Sequence, residues 1–182
     1  MPRYYFPKPY ADFVARLRVP TGFLLVVTFA WLSQPTWHSL ALGLPLSVLG
    51  LLLRGWAAGH LAKNQTLTRG GPYAYLRNPL YVGTLAVAAG LVISSRQWPL
   101  AALFAAVFLF VYLPVIELEE QHLRKLFPDY AAFAAEVPAL FPRLTPAPGN
   151  TSFHWALYRK NQEYQALFGF LAGVALLLYK AV

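Results

Sequence analysis

Trp98-Pro-Leu-Ala-Ala-Leu-Phe-Ala-Ala-Val-Phe-Leu-Phe-Val-Tyr-Leu-Pro-Val-Ile116 runs from one cluster of polar residues to another without a single charge. A helix needs roughly 20 apolar residues to cross the hydrocarbon core of a bilayer, with about 17–25 tolerated. This stretch meets that length alone. Arg96 stands just before it and Glu117-Leu-Glu-Glu120 just after it, so both of its ends are sharply marked. Working outward, four more apolar stretches are readable, at about Val19–Ser33, Trp37–Ala58, Leu80–Ser94 and Ala166–Tyr179. Trp37–Ala58 is long enough by itself, and its Pro45 is tolerated with a kink or a neighbour's support. The other three are short, and are expected to borrow flanking residues such as Leu17, Tyr75–Leu76 or Tyr164. Gln34–Thr36 and Ser95–Gln97 leave room only for tight connections, which predicts two antiparallel helical hairpins.

Composition agrees with a membrane protein. The chain of 182 residues is 58% hydrophobic and 12% charged, against about 25% charged in an ordinary soluble domain. Its polar residues are gathered in blocks between apolar runs. The net charge of +8 does not indicate nucleic acid, because the basic residues flank apolar segments and form no stripe. Cysteine is absent, which excludes disulfides, thiolate metal sites and a cysteine nucleophile. The histidines show no ligand spacing, so no metal site is expected. No strand–Gly-x-Gly-x-x-Gly unit is present, which argues against a soluble nucleotide-binding fold. The charged, proline-containing stretch Met1–Arg18 lacks the apolar run of a removable signal peptide.

Lys and Arg near span ends favour the cytoplasmic side. Arg3, Lys8, Arg16, Arg18, Arg54, Lys63, Arg69, Arg77, Arg124, Lys125, Arg143, Arg159 and Lys160 fall on one side, and only Arg96 and Lys180 on the other. The N-terminus, the 59–79 loop and the 117–165 segment are therefore expected in the cytoplasm, with the C-terminus opposite. All the acidic residues share the inner side. Trp31, Trp37, Trp98, Tyr4, Tyr5, Tyr75 and Tyr81 lie near expected interfaces, where most suit an aromatic belt. Pro138–Gly149 reads as a linker before the last span.

Two polar islands carry the candidate chemistry. In Thr68–Gly83, Gly70 and Gly71 permit close backbone approach, and Pro79 suits the first turn of a helix. That helix start and Arg77 can receive an anion; a plain turn into the membrane with an anchoring Arg explains the same residues. In Glu117–Tyr130, a helix continuing out of the membrane would pair Glu120 with Arg124 at i,i+4 and turn Leu123, Leu126 and Phe127 to an apolar side. A solvated amphipathic helix accounts for this. So does a set of carboxylates waiting for a ligand cation, since charge at a membrane boundary is costly unless paired. His60 and His122 lie near the two islands as candidate bases. Arg54 is either a snorkelling residue or a clamp for an acceptor carboxylate or phosphate.

The order Gly71-Pro-Tyr73, Arg77-x-Pro79-x-Tyr81-x-Gly83, a helical hairpin, Glu119-Glu120, then Phe127-x-x-Tyr130 and Pro142-Arg143 resembles the isoprenylcysteine carboxyl methyltransferases and, with them, membrane phospholipid methyltransferases. The resemblance covers about residues 53–143. It implies an all-α integral membrane fold of about five transmembrane helices with a cytoplasmic cofactor-binding segment. The expected organisation is a single membrane domain over 1–182, with an N-terminal cytoplasmic segment 1–18, a methyltransferase-like core 53–143 and an additional C-terminal helix within 150–182. It further implies S-adenosylmethionine as cofactor and a lipophilic acceptor entering from the bilayer. By this resemblance Gly71, Pro72, Tyr73, Arg77, Asn78, Pro79, Tyr81, Gly83, Glu119, Glu120 and Tyr130 bind the cofactor and Arg143 closes the segment; Arg77 and Glu120, joined by Arg54 from its place at the end of the second span, are the expected catalytic residues. Which of Glu119 and Glu120 meets the cofactor is open. Asn78 departs from the His usual in isoprenylcysteine methyltransferases. The final span is free to complete an acceptor tunnel, support a homodimer or anchor the tail. Sterol-reductase-like NADPH enzymes and a non-catalytic membrane module are the alternatives.

Overall fold

A computed structural model describes residues 5–149 and 151–182; Arg3 and Tyr4 lie outside them. The described residues form helices and connecting turns without strands. Helix α1 is Lys8–Leu32, α2 Trp37–His60, α3 Pro79–Ser95 and α4 Trp98–Leu126. Short α5 spans Tyr130–Glu136 and α6 Trp155–Lys160, and α7 closes the chain at Tyr164–Ala181. Helices α1, α2, α4 and α7 are long and apolar enough to cross a membrane. α3 has 17 residues, about 26 Å at 1.5 Å per residue, at the lower limit for a span. The chain is an all-α membrane protein.

The frame is the α2–α3 hairpin. Gly43, Ser47 and Gly50 recur at helical spacing along α2 and meet Gly83, Val87 and Gly90 of α3. A Cβ on Gly43 or Gly90 would strike the other's carbonyl, and one on Gly50 would strike the carbonyl of Gly83. Lipid is as apolar as a side chain, so helices in a bilayer associate through close packing and hydrogen bonds, and small residues permit both. Ser47 donates to the Val87 carbonyl at 2.9 Å and Ser39 to the Ser94 carbonyl at 2.8 Å. Thr36 and Ser39 form a reciprocal cap at the start of α2.

α1 packs on α4 through Val14, Val107 and Val111, with Tyr10, Leu25, Leu103 and Tyr112 around them. Phe108–Tyr112 within α4 is a π-helical turn. Pro114 follows it and has no N–H for the carbonyl of Phe110; the Tyr10 hydroxyl of α1 donates to that carbonyl instead, at 2.6 Å. The wider turn and the proline thus leave a polar group inside the membrane that the neighbouring helix satisfies.

The two tight turns share one end of the bundle, joined by a bond from Gln34 N to the Ser95 carbonyl at 3.0 Å. Lys180 at the end of α7 donates to the carbonyls of Ala30, Trp31 and Ser33. Arg96 and the exposed Trp31, Trp37 and Trp98 lie at this same end. The described acidic side chains gather at the other, as the charge pattern predicts.

Several boundaries differ from the sequence reading. α1 begins at Lys8, well ahead of the start expected for the first span at about Val19. α3 does not borrow Tyr75–Leu76, because Gly71–Ala74 is a 3-10 turn whose Tyr73, Ala74 and following Leu76 are buried. α4 continues past Ile116 to Leu126. Pro138–Gly149 is no linker. It lies along the 74–78 turn, with Arg77 N and Asn78 N bonded to the carbonyls of Pro138 and Ala139, and Arg143 N and Ala147 N to those of Tyr75 and Ala74. Prolines that break helices here leave an extended strap whose carbonyls and amides find partners across the turn.

A leucine at Gly90 is expected to force α2 and α3 apart and cost about 1–3 kcal/mol or more. A leucine at Gly169, whose Cβ would meet nothing within 4 Å, should cost little. Thermal unfolding of both variants in detergent checks the contrast.

Candidate functional site

Three carboxylates leave the membrane on α4, and each finds a different partner. Glu117 accepts the backbone N–H groups of Tyr5 and Phe6 at 2.9 and 3.1 Å and so holds the chain entering α1. Glu120 accepts two bonds from Arg77, from Nε at 2.9 Å and Nη2 at 3.0 Å. Glu119 lies 3.5 Å from Arg18 of α1, in a half-exposed pair. The expected Glu120–Arg124 pair does not form, since Arg77 holds Glu120 more directly; the Arg124 guanidinium stacks over the Tyr130 ring at 5.4 Å instead.

Arg77 is nearly saturated. Besides Glu120, its Nη1 donates to the carbonyls of Ala134 and Val137 at 2.8 and 2.7 Å, which uses four of its five N–H groups. Asn78 adds its side-chain amide to Glu120 at 3.1 Å and to the Ala139 carbonyl at 3.2 Å. The cluster pins the 74–78 turn, α4, α5 and the strap to one another. At the start of α3, Pro79 has no N–H, and those of Tyr81 and Val82 bond the Asn78 carbonyl. The predicted anion seat therefore has little left to offer.

Beside this clamp lies an inner pocket. Tyr73, Asn78, Pro79, Tyr81, Glu119 and Tyr130 line it together with Leu61, Lys63, Asn64, His122, Phe127 and Phe133. Arg77 reaches its wall, while Glu120 faces a separate groove with Gln121 and Arg124. Burial pushes the Tyr73 and Tyr130 hydroxyls up from the usual tyrosine range, with Glu163 adding to the first and Glu120 to the second. Both remain protonated donors. Gly71 has φ +58°, and a side chain there would collide with the His60 ring; His60 itself is buried, with Nδ1 2.9 Å from the Trp56 carbonyl. Pro72 is buried beneath Tyr73 in the same turn. Gly83 is absorbed by the α2–α3 contact and does not line the pocket.

A second cavity adjoins it, a lateral cleft between α1 and the start of α7. Val19, Gly22, Phe23 and Val26 form its apolar side, and Arg18, Arg54, Asn161 and Glu163 its polar side. Leu61, Lys63, Leu80, Tyr81 and Glu119 line both cavities. Arg54 is not free there. Its Nε and Nη2 hold both oxygens of Glu163, and its Nη1 donates to the Leu80 carbonyl and to Thr84. Sequence reasoning missed Arg18, Glu163 and the Lys63–Asn64 loop, which no local spacing ties to the islands. Arg143, expected to close the site, pairs with Glu136 on the outer side of the strap.

The fold and site are those of a helical membrane protein whose aromatic pocket shares a wall with a lateral cleft. Residues 18–130 match the phospholipid methyltransferase family model, and the chain belongs to that family, which makes it a membrane methyltransferase by descent. Among its relatives are a cobalt-zinc-cadmium resistance protein, CzcN, of Cupriavidus metallidurans, 34% identical over 82% of this chain and 76% of its own. A nickel-cobalt-cadmium resistance protein, NccN, of Alcaligenes xylosoxydans xylosoxydans is 34% identical over 76% of this chain and 71% of its own. No solved structure matches the chain.

Removing either half of the Arg77–Glu120 pair strands a buried charge, which costs about 3–5 kcal/mol. Arg77→Ala and Glu120→Ala are expected to lower the melting temperature sharply in detergent. Glu119→Ala, half-exposed and loosely paired, is expected to leave it nearly unchanged.

Proposed function

We propose that this protein is an S-adenosylmethionine-dependent methyltransferase acting on a lipophilic acceptor, with its pocket on the cytoplasmic face and its C-terminus opposite. The observation that carries this reading is the shared wall of the two cavities: Tyr81 and Glu119 face a polar, aromatic pocket on one side and a membrane-facing cleft on the other. The charge asymmetry of the chain supports the orientation.

The donor set suits the cofactor. Aromatic faces at Tyr73, Phe127, Tyr130 and Phe133 offer stacking for an adenine, and Glu119 offers a counter-charge to a cation. Lys63, at the rim of both cavities, offers one to a carboxylate. When bound, S-adenosylmethionine supplies an electrophilic methyl group on a sulfonium. The chain's own part is to bring an acceptor beside it in a fixed orientation and to keep water away, and such proximity is worth several kcal/mol of barrier, about 7–11 at its best. A carboxylate acceptor, of the prenylcysteine kind, needs no base; a phospholipid amine or a hydroxyl does, and Glu119 and His122 are the groups within the pocket able to serve. In this reading Arg77, Glu120 and Arg54 position the site and touch neither ligand. Two relatives are named for metal resistance, and in this reading that is the setting in which the methylation serves.

Isothermal titration of purified protein in detergent is expected to give S-adenosylhomocysteine a micromolar Kd and NADPH none. Glu119→Ala should weaken the nucleoside at least tenfold. Binding of NADPH in its place would assign the fold to a reductase, and binding of neither would leave a non-catalytic membrane module.

A further inference from the structure

One buried polar atom of the inner pocket has no partner among the described residues. Tyr73 is 6% exposed, lines the inner pocket, and its hydroxyl has no hydrogen-bond partner among the described residues. A buried hydroxyl left unsatisfied is destabilising, and an isolated one in a protein interior calls for an explanation in a ligand, an ion or a water. The residue is held firmly in this state. Gly70 and Gly149 bring the loop against the strap, Gly71 takes up a left-handed conformation over the His60 ring, and Pro72 stiffens the turn immediately before Tyr73.

The surroundings of the hydroxyl say which ligand it serves. The charges that act on it are Glu163, Arg54 and Glu119, all three of which line the lateral cleft. The other buried or half-buried groups of that corner are engaged: Arg54 with Glu163, Leu80 and Thr84, and Glu119 with Arg18. Two neutralised ion pairs of the cleft thus stand near one unsatisfied donor of the pocket, across the wall that the two cavities share.

We propose that Tyr73 is the specificity-determining hydrogen-bond donor to the reacting head of the acceptor, and that this head is an oxygen rather than an amine nitrogen. The inference rests on the methyltransferase reading above. Because burial holds the phenol protonated, it donates. A carboxylate or hydroxyl oxygen accepts that bond and keeps another lone pair for attack. A neutral amine has one lone pair and loses its nucleophilicity when the phenol takes it. With a carboxylate, one lone pair of the oxygen forms the new C–O bond, the C–S bond of the donor breaks with its electron pair left on sulfur, and no proton moves. With a hydroxyl, the same exchange releases a proton, which Glu119 is placed to accept.

Tyr73→Phe isolates the claim, since it removes only an atom that bonds nothing among the described residues. The variant is expected to melt within a degree or two of the parent in detergent. It should bind S-adenosylhomocysteine within twofold of the parent and lose at least tenfold in transfer of tritiated methyl to a native membrane lipid extract at saturating donor. Mass spectrometry of the parent's labelled product should find the methyl on oxygen. Undiminished transfer by the variant, a methyl found on nitrogen, or a tenfold weaker nucleoside with transfer restored by excess donor would each overturn the proposal. Nucleoside binding with no label transferred by the parent would also count against an acceptor in the cleft. Loss of nucleoside binding by the parent itself would instead remove the methyltransferase reading.

Discussion

The grip of Arg77 on Glu120 is the constraint from which the rest of the site follows. Two N–H groups of a planar guanidinium meet two carboxylate oxygens, and the remaining edge binds the carbonyls of Ala134 and Val137. Such a bidentate arrangement is strong and directional, and it is only 12–16% exposed. One side chain therefore fixes the turn before α3, the end of α4, the short α5 and the strap behind them. Without it the carboxylate and the carbonyls would each face a poorly hydrated membrane boundary alone. What remains for a ligand is the face this clamp leaves open: Glu119, two buried tyrosines and a ring of aromatic side chains.

The helices make that arrangement possible by approaching closely where they carry no side chains. The α2–α3 contact is built from glycine and serine, and its inner end delivers Arg54 alongside Gly83. From there Arg54 reaches Glu163 at the start of α7, so the last helix is tied to the hairpin at the polar end and to α1 through Lys180 at the other. Both ties are ionic or strongly polar, and both sit where lipid would otherwise leave the groups unpaired. Asn161 and Glu163, just ahead of α7, thus become one side of the lateral cleft.

Much of this was legible in the sequence, and the failures share a cause. The spans, the two tight hairpins and the gathering of acidic residues at one end follow from hydropathy and charge, which are local properties. The aromatic and polar lining of the pocket also emerged, at Tyr73, Asn78, Tyr81, Glu119 and Tyr130. What could not be read were partners far apart in the chain. Glu120 looked paired with Arg124 four residues on, yet its partner is 43 residues away; Arg54 looked free because Glu163 lies 109 residues off. Prolines made Pro138–Gly149 look like a spacer, although its backbone bonds are spent on the turn that carries Arg77. Gly83 drew attention as a pocket residue through the Arg77-x-Pro79-x-Tyr81-x-Gly83 resemblance, and the close approach it permits is to α2.

The decisive measurement is an experimental structure of the detergent-purified protein with S-adenosylhomocysteine. The account predicts density for the nucleoside in the pocket between Tyr73, Glu119 and Tyr130, with the Arg77–Glu120 pair intact beside it. A ligand seated elsewhere, or a Glu120 swung away from Arg77 to take the ligand's ammonium, would contradict it.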